Sequence, residues 1–273
     1  MEVAIIIKGF IVGAFMLIPG ISGGTMCMVF GIFDKLVESI SKFFKQPKQS
    51  MVFLAQFIIG AGVAFLLLSK VVTLINQSFQ KEVAFFVIGA IIAGLPVIYK
   101  EAKVTKINFK VTFSFLVGLF LVYFFTLMPP NVFTVDHMSA SQVMIQIVAG
   151  ILGALGLVLP GISFSAMLYM MGVYNFIYGN IGNRNFMVLI PFAIGMVLGV
   201  LLLTRVLEYF MKNHPTPTYM IIIGFVIGSI GDVVKEMGEA PSGWQWIYCI
   251  LTFIAGYAVI NRLGKIEKLG GTK

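Results

Sequence analysis

Two tracts in this chain combine proline, glycine and hydroxyl side chains between apolar runs: Ile18-Pro-Gly-Ile-Ser-Gly-Gly-Thr25 and Leu159-Pro-Gly-Ile-Ser-Phe-Ser-Ala166. The first places Ser22, Gly23, Gly24 and Thr25 where a helix begins. Its leading N–H groups have no intrahelical partner, and its N-terminus carries partial positive charge. Glycine lets a ligand approach the backbone, so the tract suits an anion, phosphate or carboxylate. In the second tract Ser163 and Ser165 supply equivalent donors, while Phe164 and Ser165 replace Gly23 and Gly24 and make that tip bulkier. The competing reading is structural, because small residues at a helix break also let membrane helices pack closely.

Charged side chains form a second constellation. Lys70 and Arg205 end matching runs, Leu-Leu-Leu-Ser-Lys and Leu-Leu-Leu-Thr-Arg. Either they snorkel to the membrane interface or each guides an anionic headgroup from its side. Glu208 follows Arg205 by three residues, a spacing that permits a local ion pair. Asp34, Lys35 and Glu38 lie within about a turn of one another, as an interfacial patch or, for Asp34 and Glu38, as possible carriers of a coupling proton. His137 and His214 are too few for a metal centre, and Cys27 and Cys249 have no ligand spacing, so no metal or cofactor is expected.

The elements that must position these residues are membrane helices. Hydrophobic residues make up 59% of the chain and charged ones 11%, against about 25% charged in soluble domains. Apolar stretches recur at Met51–Ile75, Val83–Tyr99, Val111–Met128, Phe186–Leu203, Thr218–Val234 and Ile247–Ile260, near the ~20 residues a span requires. The N-terminal run is not a signal peptide, since Lys8 interrupts it and no small-residue cleavage site follows. At each Pro-Gly tract the apolar run should break into two half-helices. Irregular backbone at membrane depth survives only inside protein or beside a wet cavity. Each tract therefore reads as the tip of a hairpin that enters and leaves on one face. About 15 residues per arm reach only ~23 Å, which favours re-entrance over crossing.

The tracts are also copies. At an offset of 141, Pro19, Gly20, Ile21, Ser22, Met26 and Gly31 match Pro160, Gly161, Ile162, Ser163, Met167 and Gly172. At an offset of 135, Phe57, Gly60 and Leu66 to Leu68 match Phe192, Gly195 and Leu201 to Leu203, and Gly89 falls on Gly224. The fold class is thus all-α integral membrane, with two repeats of one re-entrant hairpin plus three spans. Residues 1–135 hold a hairpin at 3–40 and spans at 51–75, 83–99 and 111–128. Residues 136–273 hold a hairpin at 142–181 and spans at 186–205, 218–234 and 246–262. Three spans is an odd number, so the second half is inverted. With the N-terminus inside, 15 of the 19 Lys and Arg residues face the cytoplasm and four, Lys70, Lys81, Arg184 and Lys235, face outward. That is the asymmetry of the positive-inside rule, and it explains the net charge of +8 without nucleic acid as a partner. Both termini are expected in the cytoplasm, with Trp244 and Trp246 anchoring the outer interface.

With Pro-Gly-Ile-Ser-Gly-Gly-Thr near residue 20, Gly-Ile-Phe-Asp at Gly31–Asp34, and a second Pro-Gly-Ile-Ser leading to Gly172-Val-Tyr174, the chain resembles the bacterial polyprenyl-phosphate transporters, a group long catalogued as a domain of unknown function. The resemblance covers essentially the whole chain. It implies return of undecaprenyl phosphate across the cytoplasmic membrane, from outer to inner leaflet, for cell-wall synthesis, with alternating access and no catalytic residues. It also implies a headgroup site at Ser22, Gly23, Gly24, Thr25 and Ser163. Phe164-Ser165-Ala166 departs from the small polar run expected at the second tip. The alternatives are a small-anion carrier, a lipid-phosphate phosphatase and a membrane scaffold. The expected partner is the polyprenyl lipid in its bilayer. Topology is directly testable in a background lacking Cys27 and Cys249. Single cysteines at Lys103 and Lys268 should resist an impermeant thiol reagent added outside spheroplasts, and one at His137 should react. Outside labelling at Lys103 overturns the inverted arrangement.

Overall fold

The computed structural model describes residues 3–18, 21–127 and 140–270, the described part being helical throughout. Pro19, Gly20, His137 and the proposed boundary at residue 135 lie outside the described residues. Twelve α-helices follow in chain order. The first six are α1 (Val3–Met16), α2 (Gly23–Val29), α3 (Phe33–Ser41), α4 (Pro47–Ser78), α5 (Gln80–Glu101) and α6 (Phe109–Leu127). The second six are α7 (Ala140–Val158), α8 (Phe164–Met170), α9 (Tyr174–Gly182), α10 (Ile190–Asn213), α11 (Pro215–Met237) and α12 (Gln245–Gly270). Among the described residues six segments are long and apolar enough to cross a membrane: α4, α5, α6, α10 with the 3₁₀ turn Phe186–Leu189 that leads into it, α11, and α12 as far as Leu263. The protein is a multi-pass membrane protein.

Spans run beyond their apolar runs. The stretch 51–75 lies inside Pro47–Ser78, and 186–205 lies inside Phe186–Asn213. Proline near the first helical position of α4 and α11 starts each helix where its missing N–H costs nothing. The segments around the two proline-glycine tracts are also more divided than a single break provides. Gly31 (φ +62°) separates α2 from α3, and Gly172 (φ +72°) separates α8 from α9. In α7 the first arm has 19 residues, about 28 Å at 1.5 Å per residue, longer than the expected arm.

Packing repeats at paired glycines. A Cβ on Gly9 would lie 2.3 Å from the Phe57 carbonyl oxygen, and one on Gly150 would lie 2.3 Å from that of Phe192. Gly60 approaches the Ile6 carbonyl as Gly195 approaches that of Ile147. These four contacts join α1 to α4 and α7 to α10. Between the halves, Gly89 meets the Phe253 carbonyl and Gly224 that of Phe115, while Gly256 meets Phe86 and Gly118 meets Ile221. Hence α5 packs on α12 and α11 on α6, each half lending a span to the other. With apolar lipid outside, burial supplies little drive for helix association, and close backbone approach is what holds such pairs.

The short helices break this likeness. Of the first pair, α2 packs on α5 of its own half and α3 reaches across onto α10. Val12, Met26, Val29, Val87, Ile91 and Val226, all buried, form the core cluster there. The second pair sits in a separate cluster around Met167, Leu168 and Phe192.

Gly195→Val would set a branched side chain where a Cβ already falls 2.1 Å from a backbone oxygen. Such overpacking costs about 1–3 kcal/mol or more. A lower unfolding midpoint and a smaller monodisperse yield in detergent are expected. Gly62→Ala, with nothing within 4 Å of its Cβ position, should unfold with the wild type.

Candidate functional site

The two Pro-Gly-Ile-Ser tips are made by the same local bonds. Met26 N–H donates to the Ser22 carbonyl, and Met167 N–H to that of Ser163. At the far ends Ile32 N–H donates to Cys27 and Gly31 N–H to Met28, matched by Val173 to Leu168 and Gly172 to Tyr169. These are paired helix-ending turns of the kind that uses a left-handed residue, which is why Gly31 recurs as Gly172.

The two tips meet. The Gly161 N–H donates to Thr25 Oγ1 at 2.9 Å, in a buried setting where Thr25 is 1% exposed. A Cβ on Gly24 would lie 3.2 Å from Pro160 Cα. Gly161 has φ +81° and presses on the Phe225 carbonyl of α11. Thr25 therefore joins the tips. Gly23 faces the end of the Met16 side chain, 2.7 Å from its Cβ position. Ser22 occupies the N-cap position of α2 with extended backbone, yet its hydroxyl makes no capping bond. Its Oγ is buried and has no hydrogen-bond partner among the described residues. Buried hydroxyls almost always have one.

Beside the second tip is a cavity of about 270 Å³, walled by Val122, Phe125 and Thr126 of α6, Gly161 to Ser163, Met167, Tyr169 and Met170 of α8, and Asp232 of α11. Ser163 thus faces a space large enough for a phosphate group. Ser165 lies on α8, partly exposed.

Arg205 lines a different cavity, of about 480 Å³, with Ser41, Lys42, Lys45, Glu208, Tyr209, Lys212 and Asn213. Glu208 does not pair with Arg205 as its spacing allowed. It binds Lys212 at 2.6 Å and Lys42 at 3.6 Å, and Glu38 binds Lys42 at 2.5 Å and Lys212 at 3.1 Å. Four-residue spacing on α3 and α10 makes the local pairs, and the docking of α3 on α10 adds the crossed ones. The Lys42 ammonium first, then that of Lys212, holds the Glu38 carboxyl below its usual range. Asp34 Oδ2 accepts from the Tyr219 hydroxyl at 2.5 Å. Lys70 is exposed on α4 and lines none of these cavities. Ser22, Gly24, Thr25 and Ser163 are thus gathered at the centre, whereas Lys70 and Arg205 are not beside them.

Residues 12–240 match the family described as undecaprenyl phosphate translocase-like. That match covers well over half the chain. The protein belongs to this family. Among relatives, the polyprenyl-phosphate transporter of Staphylococcus aureus is 30% identical across 96% of this chain and 95% of its own length. That of Vibrio cholerae is 23% identical across 88% of this chain and 77% of its own. No solved structure matches.

For this translocase-like chain, sequence reasoning missed Thr126, Tyr169 and Asp232. Asp232 carried a signal, as the one carboxylate inside the apolar stretch Thr218–Val234; an ionisable residue within a span marks a functional position by default. Thr126 and Tyr169 had none, because only packing brings them to Ser163. The joint between the tips is testable. Thr25→Val leaves the Gly161 N–H unpaired at a cost of about 1–3 kcal/mol. It should lower the unfolding midpoint in detergent, and Thr25→Ser, which keeps the oxygen, should restore it.

Proposed function

We propose that this protein carries a polyprenyl phosphate, undecaprenyl phosphate by its family, from the outer to the inner leaflet. The phosphate is handled at the meeting of two inverted hairpins and the tail remains in lipid. The observation that carries this reading is the junction itself. Two glycine-serine tips meet in the protein interior, Ser22 has a buried hydroxyl without a partner, and Ser163 faces a cavity of about 270 Å³. That volume suits a headgroup and excludes a long isoprenoid chain, which must lie along the exposed apolar flanks of the spans. A lone ion near the bilayer centre costs from about 2.5 to more than 10 kcal/mol. A few hydroxyl and amide donors offset that cost, so a sparse polar inventory is adequate.

The inverted arrangement draws support from two features. Paired glycine contacts join equivalent helices in exchanged partnership, α5 with α12 and α11 with α6. In addition, Lys42 and Lys45 of the first half and Arg205 and Lys212 of the second surround one cavity, at the end that the charge count assigns to the cytoplasm. Alternating access follows from exchange between the two halves: a headgroup released from the tips toward this end meets Lys45 and Arg205. Both relatives are named for polyprenyl phosphate, which favours a lipid over a small free anion as cargo.

Ser22→Ala removes one hydroxyl while leaving the amides in place. A hydrogen bond to a charged group contributes about 1.5–3 kcal/mol, so binding of undecaprenyl phosphate to the purified protein should weaken roughly 10- to 150-fold. Binding of undecaprenol, which lacks the phosphate, should not change between wild type and variant. Equal phosphate-lipid affinity for both proteins removes Ser22 from the site. Inorganic phosphate that competes as well as the lipid would favour the small-anion carrier.

A further inference from the structure

The cavity beside Ser163 contains a group that repels the proposed cargo. Asp232 lines it together with Thr126, and an ionised carboxylate and a phosphate sharing about 270 Å³ of mostly apolar space disfavour each other. Thr126 does not relieve this. Its hydroxyl has one hydrogen, and the Val122 carbonyl lies at 2.9 Å to receive it, while Asp232 Oδ1 stands at 3.5 Å. With that hydrogen committed to Val122, two oxygen atoms face each other with no hydrogen between them.

We propose that Asp232 and Thr126 form the coupling-cation site of the carrier, taking up a proton or an alkali-metal ion in the cavity where the phosphate binds. A proton on Asp232 Oδ1 supplies the missing donor to Thr126 Oγ1; an alkali ion instead bridges the two oxygens. Either occupant removes the net negative charge of the cavity wall, so cation and phosphate load together and leave together. The proton forms one O–H bond and comes from solvent, so the step is balanced. This inference rests on the headgroup lying beside Ser163.

The other carboxylates first considered for coupling already have partners: Asp34 holds Tyr219, and Glu38 is ion-paired with Lys42 and Lys212. Among the described residues no ammonium or guanidinium lies within ion-pair distance of Asp232, although Lys235 is near enough to act on it through space. Lys235 and Glu236 are exposed at the end of the same helix. From α8 comes Tyr169, from α6 Thr126, and from the tip Ser163. At the neighbouring end of α5, Gln80 binds the Glu236 carbonyl, Lys81 binds the Ala240 carbonyl and Gln245, and Glu82 follows.

The test begins without the lipid. Purified full-length wild type, D232N, D232E and E236Q are melted in detergent across a pH series, and with sodium, potassium or choline as the chloride. A midpoint that rises with acid or with one alkali ion in wild type, D232E and E236Q, and that is flat in D232N, is expected. A response to acid alone assigns the proton, and a response to one metal assigns that ion. No response in wild type, or the same response in D232N, overturns the cation site. Undecaprenyl phosphate binding is then measured under the same conditions. Its wild-type affinity should change up to about tenfold per pH unit if one proton is linked, or in proportion to the alkali ion, and that dependence should be lost in D232N. Affinity that ignores the cation in wild type overturns the coupling. A wild type that responds to cation but binds no polyprenyl phosphate instead overturns the cargo assignment and leaves the cation site standing.

Discussion

A broken helix inside a bundle of apolar spans leaves backbone donors that lipid cannot satisfy, and the rest of the architecture depends on how that deficit is met. Here one donor of the second tip, the Gly161 N–H, is met by Thr25 of the first. Each tip thereby becomes part of the other's environment. The second tip also has to approach α11 closely, where Gly161 presses on the Phe225 carbonyl in a conformation available to glycine. The Ser22 hydroxyl, buried and without a hydrogen-bond partner among the described residues, stands beside this joint.

Around that centre the helices are held by backbone approach. Glycine meets carbonyl oxygen at each major pairing, from α1 on α4 to α11 on α6. Exchange of spans between the halves ties both tips to a common frame. Of the first pair of short helices, α3 docks across onto α10, whereas in the second pair α8 packs on α7 of its own half. Equivalent sequences therefore occupy unequal surroundings: Met26 lies in the main core, while Met167 borders a cavity.

Charge is sorted in the same way. Four ions, Glu38, Lys42, Glu208 and Lys212, share contacts where α3 meets α10. Pairs this exposed contribute little individually and weaken in salt. Their linkage across the two halves nonetheless places Lys45 and Arg205 at the rim of a cavity. Deeper in, the buried polar side chains are hydroxyls and the amides of Gln56 and Gln146, with the Asp232 carboxylate on the wall of the smaller cavity. That economy is consistent with a cargo whose only polar part is its headgroup.

Much of this was legible in the residues. Apolar length gave six spans, because the hydrocarbon thickness sets how many residues must be hydrophobic. Proline and glycine marked the breaks and Gly31 matched Gly172 in the repeat, but that both are left-handed residues ending short helices is seen only in the structure. The clustering of lysines on alternate loops was likewise a property of order along the chain. What the sequence could not decide was which side chains share a space. Thr25 read as a ligand donor and became the joint between tips, because its position relative to Gly161 depends on how two segments 136 residues apart are packed. Glu208 chose Lys212 and Lys42 over Arg205 once α3 lay against α10. Asp232, Thr126 and Ser163 belong to three different segments, and no local pattern encodes their meeting. Periodicity and composition act within one segment, whereas a site is made where several segments converge, and only their packing brings those side chains together.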